Sequence, residues 1–129
     1  ASDVYKRQGF EFINMIILMG GIVLSVLLGQ GEFKYRVVED WAKLPDEWSF
    51  MDVAGVAVNS KDEVFVFNRG EHPMIIFDIK GNYLRSWGEN IFSRPHGIHI
   101  GSDDYIYCTD DGDHTVKKLA PDGKLIFLL

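Results

Sequence analysis

Residues 54–87 read AGVAVNSKDEVFVFNRGEHPMIIFDIKGNYLRSW, and residues 96–129 read HGIHIGSDDYIYCTDDGDHTVKKLAPDGKLIFLL. Set side by side at an offset of 42 residues, the two stretches need no gap. Gly55 meets Gly97, Ser60 meets Ser102, Asp62 meets Asp104, Gly70 meets Gly112, His72 meets His114 and Gly81 meets Gly123. Apolar positions keep the same register: Val56 with Ile98, Val58 with Ile100, Val64 with Ile106, Phe65 with Tyr107 and Phe77 with Leu119. Turn residues and core residues recurring together mark one structural unit used twice.

Each copy contains four short runs rich in β-branched and aromatic residues, the composition of strands. They are 54–58, 63–68, 74–78 and 82–87 in the first copy, then 96–100, 105–109, 115–119 and 124–129 in the second. Polar turns separate them, and Lys80-Gly81 and Asp122-Gly123 are pairs in which glycine accepts a positive φ at no steric cost. Within VFVF the alternation is lost, which points to strands buried on both faces. A strand-rich period near 40 predicts an all-β fold: two consecutive four-stranded blades of an incomplete β-propeller, at 53–90 and 91–129. Complete propellers carry about 4–8 blades, so the expectation is a fragment of a longer chain.

Residues 32–52 read as a lead-in strand (34–40) and a linker containing Trp41, Pro45 and Trp48. Residues 1–31 form an apolar leader. Its core, Ile13–Leu28, is uncharged, 16 residues long and preceded by Lys6 and Arg7. A membrane-spanning helix needs about 20 apolar residues. An anchor or export signal, a wrongly joined upstream segment and a helix packed on the domain all stay open. Membrane association is expected only if 13–28 is an anchor. The location stays open between a cytoplasmic and an exported bacterial protein, according to whether that leader is native.

The chain has 129 residues, 47% hydrophobic and 25% charged, with a net charge of -6. That balance disfavours a nucleic-acid partner, because phosphate contacts need clustered Lys and Arg. One cysteine, Cys108, excludes an internal disulfide and a Cys-rich metal knuckle.

Two segments could carry chemistry. Asn68-Arg69-Gly70-Glu71-His72 ends an apolar run, and Arg69 could bind a carboxylate bidentately or form an ion pair with Glu71 or Asp111. Arg94-Pro95-His96-Gly97 opens the second copy, where His96 could serve as a metal ligand or a structural hydrogen-bonding residue. Asp110-Asp111-Gly112-Asp113 lacks the spacing of an EF-hand, so calcium is weakly indicated and a solvated loop is the default. His72 and His114 share one repeat position and read as architectural; His96 has Ala54 as its counterpart.

Residues 53–129 resemble NHL-type propeller repeats. VAGVAVNSKDEVFVFNRGEH (53–72) and RPHGIHIGSDDYIYCTDDGDHTVKKLAPDGK (94–124) are similar to the peptidyl-α-hydroxyglycine α-amidating lyase family and its bacterial relatives. The resemblance implies a six-bladed propeller and, in the full-length protein, a zinc-dependent lyase. It would split peptidyl-α-hydroxyglycine-like substrates into an amidated peptide and glyoxylate, with zinc held by three histidines and calcium bound within the propeller. In that family pattern His96 matches a zinc ligand and Arg69 the catalytic arginine. Asn68 stands where the animal enzymes have a histidine, and no residue here matches the other two zinc ligands, so the chain alone is expected to be inactive. The alternative is a non-enzymatic NHL propeller serving as a protein- or glycan-binding scaffold. Expected partners are thus a small-molecule or peptide substrate, or a protein.

Overall fold

The computed structural model describes residues 27–129. Most of the leader lies outside the described residues. Among those described, no helix is long and apolar enough to cross a membrane.

Ten strands follow one another: β1 Leu27–Gln30, β2 Phe33–Arg36, β3 Val53–Val58, β4 Val64–Asn68, β5 Met74–Phe77, β6 Tyr83–Trp87, β7 Pro95–Ile100, β8 Ile106–Asp110, β9 Thr115–Leu119 and β10 Leu125–Leu128. They form three antiparallel sheets. β1 pairs with β2, the first meander runs β3-β4-β5-β6, and the second runs β7-β8-β9-β10. The expected lead-in strand exists only as Phe33–Arg36. It pairs with Leu27–Gln30 as an exposed hairpin and joins neither larger sheet.

The propeller expectation is not met. All three sheets are open, and none closes into a ring or encloses the central channel that a propeller requires. The fold is all-β with three open antiparallel sheets. A sequence period specifies local hairpins and their turns, whereas closure depends on long-range pairing about which it is silent.

The repeat is written into the backbone as well as the sequence. Asp62 and Asp104 both take a left-handed φ, 60° and 61°, and Gly81 and Gly123 take 76° and 88°. The β3–β4 ladder shifts register between Val53 and Gly55, and the β7–β8 ladder does so at the equivalent place, between Pro95 and Gly97. Each bulge leaves one residue unpaired, Ala54 in the first sheet and His96 in the second.

The main core lies between the two four-stranded sheets. Phe65, Phe67, Met74 and Ile76 of the first face Ile106, Cys108 and Leu119 of the second, with Phe92, Ile98 and Ile100 around them. The opposite face of the first sheet, Val64, Val66, Ile75 and Phe77, is covered by Trp41, Leu44, Trp48 and Phe50 of the linker. β4 and β5 are therefore buried on both sides, which explains their unbroken apolar runs. Burial pushes the Cys108 thiol up to about 12, against the pull of Lys117, so it serves as an inert core group.

Candidate functional site

The site is the edge where β3 and β7 begin and β4 and β8 end. Two buried polar side chains build it at the same repeat position. Asn68 Oδ1 accepts from the backbone N–H of Gly70 at 2.8 Å and of Met51 at 3.5 Å, while its amide donates to the His72 carbonyl at 2.9 Å. Asp110 accepts from Ser93 N at 2.6 Å, Arg94 N at 2.8 Å and Gly112 N at 3.0 Å. Each side chain thus clamps the segment entering its sheet to the loop leaving the second strand. Those segments carry Asp52, Arg69, Arg94, His96 and Asp111.

Asp110 is anionic and buried, so it needs a counter-charge. Lys117, only 3% exposed, supplies it at 3.2 Å and also binds Asp113 at 2.5 Å. Burial alone would raise the Asp110 carboxyl; the N–H groups of Arg94, Ser93 and Gly112 and the Lys117 ammonium outweigh it and bring it down to about 2. An unfolded Asp titrates near 3.8, so this group's stabilisation is complete above that value and is lost as pH falls through about 2. The expected loss on acidification from pH 5 to pH 2 is about 2 kcal/mol. Urea midpoints measured across that range for the parent and Asp110→Asn check it, and the variant should show the shallower pH dependence.

Arg69 crosses between the sheets. Its Nε donates to the Pro95 carbonyl at 3.0 Å, which fixes the guanidinium plane beside the Arg94–His96 segment. Among the described residues it pairs with the carboxylate of Asp52, at a loose 4.0 Å, and Asp52 is 73% exposed. The side chain of Arg69 itself is 29% exposed. Arg94 pairs with Asp111 at 3.1 Å, and His96 Nδ1 lies 3.8 Å from the same carboxylate. At its bulge His96 is 63% exposed, in keeping with the tendency of bulges to re-aim a side chain.

Arg69 and His96 therefore come to one place, as their sequence positions suggest, but with different partners. Arg69 pairs with Asp52 and a backbone carbonyl rather than with Glu71 or Asp111. Asp52 and Arg94 were not singled out from sequence as site residues, although the offset of 42 would have found them. It aligns Asp52 with Arg94 and Arg69 with Asp111, two ion pairs of opposite polarity at equivalent positions. His72 and His114 share a position without sharing contacts. His72 stacks on Trp48 with centroids 3.4 Å apart and meets Glu89 at 3.1 Å, whereas His114 holds a left-handed turn at φ 59°.

The described residues alone do not form the zinc centre that the resemblance implies for the full-length protein. Among the described residues, no three His, Cys, Asp or Glu side chains converge as a group that could hold a metal ion. The acidic loop is occupied internally: Asp110 and Asp113 by Lys117, and Asp111 by Arg94.

No protein-family model matches the chain. The curated relatives that it matches include amidating enzymes. Mouse peptidyl-glycine alpha-amidating monooxygenase is 31% identical over 97 residues, covering 56% of this chain and 10% of the relative. The rat peptidylglycine alpha-amidating monooxygenase is 29% identical over 122 residues, covering 73% and 12%. The fruit-fly (Drosophila melanogaster) peptidyl-alpha-hydroxyglycine alpha-amidating lyase 1 is 37% identical over 43 residues, covering 33% and 8%. The similarity is distant. The chain spans about a tenth of the length of these relatives. The NHL-repeat resemblance is corrected to this distant similarity, since no repeat model matches and no ring closes. The zinc-lyase reading, and with it the propeller scaffold offered as its alternative, loses its structural basis for the same reasons.

Proposed function

We propose that the edge between the two four-stranded sheets binds a carboxylate, and that Arg69 is its anchor. One observation carries this reading. The Arg69 Nε is committed to the Pro95 carbonyl, so the guanidinium is held in one plane while, among the described residues, its terminal nitrogens face only a loose and exposed Asp52. A fixed, planar, under-used guanidinium is suited to a bidentate carboxylate. The ligand class is a peptide C-terminus or a small acyl amino acid. The names of the relatives support that class, since a peptidylglycine ends in a carboxylate.

Calorimetric titration with N-acetylglycine tests the reading. Arg69→Ala should weaken binding by at least about tenfold, and Arg69→Lys nearly as much, because an ammonium cannot reproduce the two parallel N–H donors. Lys124→Ala, in the β9–β10 turn at the far end of the sheet, should leave the affinity unchanged. Equal affinities for the parent and Arg69→Ala would refute the assignment.

A further inference from the structure

The two ion pairs at the sheet edge are inverted copies of each other, and the inversion makes the edge asymmetric. In the first sheet the entering segment carries the carboxylate, Asp52, and the loop after the second strand carries the cation, Arg69. In the second sheet the entering segment carries the cation, Arg94, and the loop carries the carboxylate, Asp111. The pairs also differ in tightness. Asp52 lies 4.0 Å from Arg69 and is largely solvated. Asp111 lies 3.1 Å from Arg94 and 3.8 Å from His96 Nδ1.

Asp111 is also held from behind. Its backbone N–H donates to the Arg94 carbonyl at 3.2 Å, and the two residues that follow it, Gly112 and Asp113, donate their N–H groups to the Asp110 carboxylate at 3.0 and 3.4 Å. Its Oδ1 is buried without a hydrogen-bond partner. A carboxylate with one oxygen desolvated and the other on Arg94 cannot swing into water to make room for a ligand. Asp111 is thus a fixed negative charge held on the same Arg94–Pro95 backbone that Arg69 binds.

We infer that Asp111 is a specificity-determining residue that limits the ligand to one negative charge: a monocarboxylate reaches Arg69, and a second carboxylate on the same ligand is repelled by Asp111 while Arg94 is already paired with it. This rests on the assignment of Arg69 as the carboxylate anchor. Rejection by a like charge is how binding sites commonly exclude an otherwise similar ligand.

The test compares N-acetylglycine with N-acetylaspartate by calorimetry at constant ionic strength. The parent should bind the monocarboxylate about tenfold more tightly than the dicarboxylate. Asp111→Asn keeps the shape, removes the charge and releases Arg94, so the preference should fall to about one or reverse. Arg94→Gln attacks the pair from the other side and leaves Asp111 uncompensated, so the preference should widen. If the parent binds N-acetylglycine and both variants keep its preference unchanged, the role of Asp111 is overturned and the Arg69 anchor stands. If the parent does not bind N-acetylglycine, the anchor itself is overturned, and the inference with it.

Discussion

Replacing Lys117 by Met is expected to destabilise the chain by about 3 kcal/mol, because it leaves two carboxylates without the buried ammonium that neutralises them. Asp110 and Lys117 are both fully enclosed, and the ammonium also reaches Asp113 and the Thr115 hydroxyl. Four backbone N–H groups still serve Asp110 in the variant, which keeps the cost toward the lower end for a broken buried pair. The first repeat supplies the remedy. At the positions of Asp110 and Lys117 it has Asn68 and Ile75, a neutral clamp over an apolar neighbour, and both are buried. The double variant Asp110→Asn, Lys117→Ile imports that solution, so it should recover most of the loss, to within about 1 kcal/mol of the parent. Chemical denaturation of the parent, the single variant and the double variant provides the measurement. A double variant no more stable than Lys117→Met would show that the two clamps are not interchangeable.

The second large effect is expected in the shared core. Phe67 is fully buried between the sheets and meets Phe92 edge-on, with centroids 4.7 Å apart. Phe67→Ala removes the ring and leaves a cavity lined by both sheets, at a cost of about 3–5 kcal/mol. Phe127→Ala, on the exposed strand β10, removes the same ring from a site with little burial and should cost less than about 1 kcal/mol. Thermal unfolding followed by near-ultraviolet circular dichroism separates the two. Similar losses at both positions would mean that the two sheets do not share one core.

How much of this was legible in the sequence follows from the range of each interaction. The strands within each repeat were readable because apolar runs, glycine turns and the offset of 42 are all local signals. The eight repeat strands fall within a residue or two of the expected boundaries. The double burial of VFVF was readable from its lost alternation. Closure was not, because a repeat describes its own hairpins and says nothing of where the last edge goes. The β1–β2 hairpin was hidden by composition: the end of an apolar run, Leu27-Leu28, pairs with Tyr35 and Arg36 across a turn at Gly31.

The site shows the same division. Arg69 stands out in the sequence by its chemistry, a guanidinium just after a buried strand, and its role as a carboxylate anchor is the proposal made above. Its partners were not legible there, because Pro95 contributes a backbone carbonyl, which any residue could offer. The family resemblance marks His96 as one metal ligand of several; a metal site needs its donors to converge, and among the described residues the imidazole faces one carboxylate already paired with Arg94. The clamp residues Asn68 and Asp110 carry a signal that repeat alignment holds in plain sight, a polar residue at the end of two equivalent apolar strands.

The claim that Arg69 is a pre-fixed carboxylate anchor is tested most directly by nitrogen-15 NMR of the arginine Nε–H groups during titration with N-acetylglycine. Arg85 is the internal control, since both of its terminal nitrogens are engaged by Glu63, at 2.7 and 3.0 Å. The expected result is an Arg69 Nε–H resonance that exchanges slowly with water before ligand is added and shifts in a saturable manner as ligand binds, while that of Arg85 stays in place. A rapidly exchanging Arg69 signal that does not move, or equal small shifts at both arginines, would contradict the account.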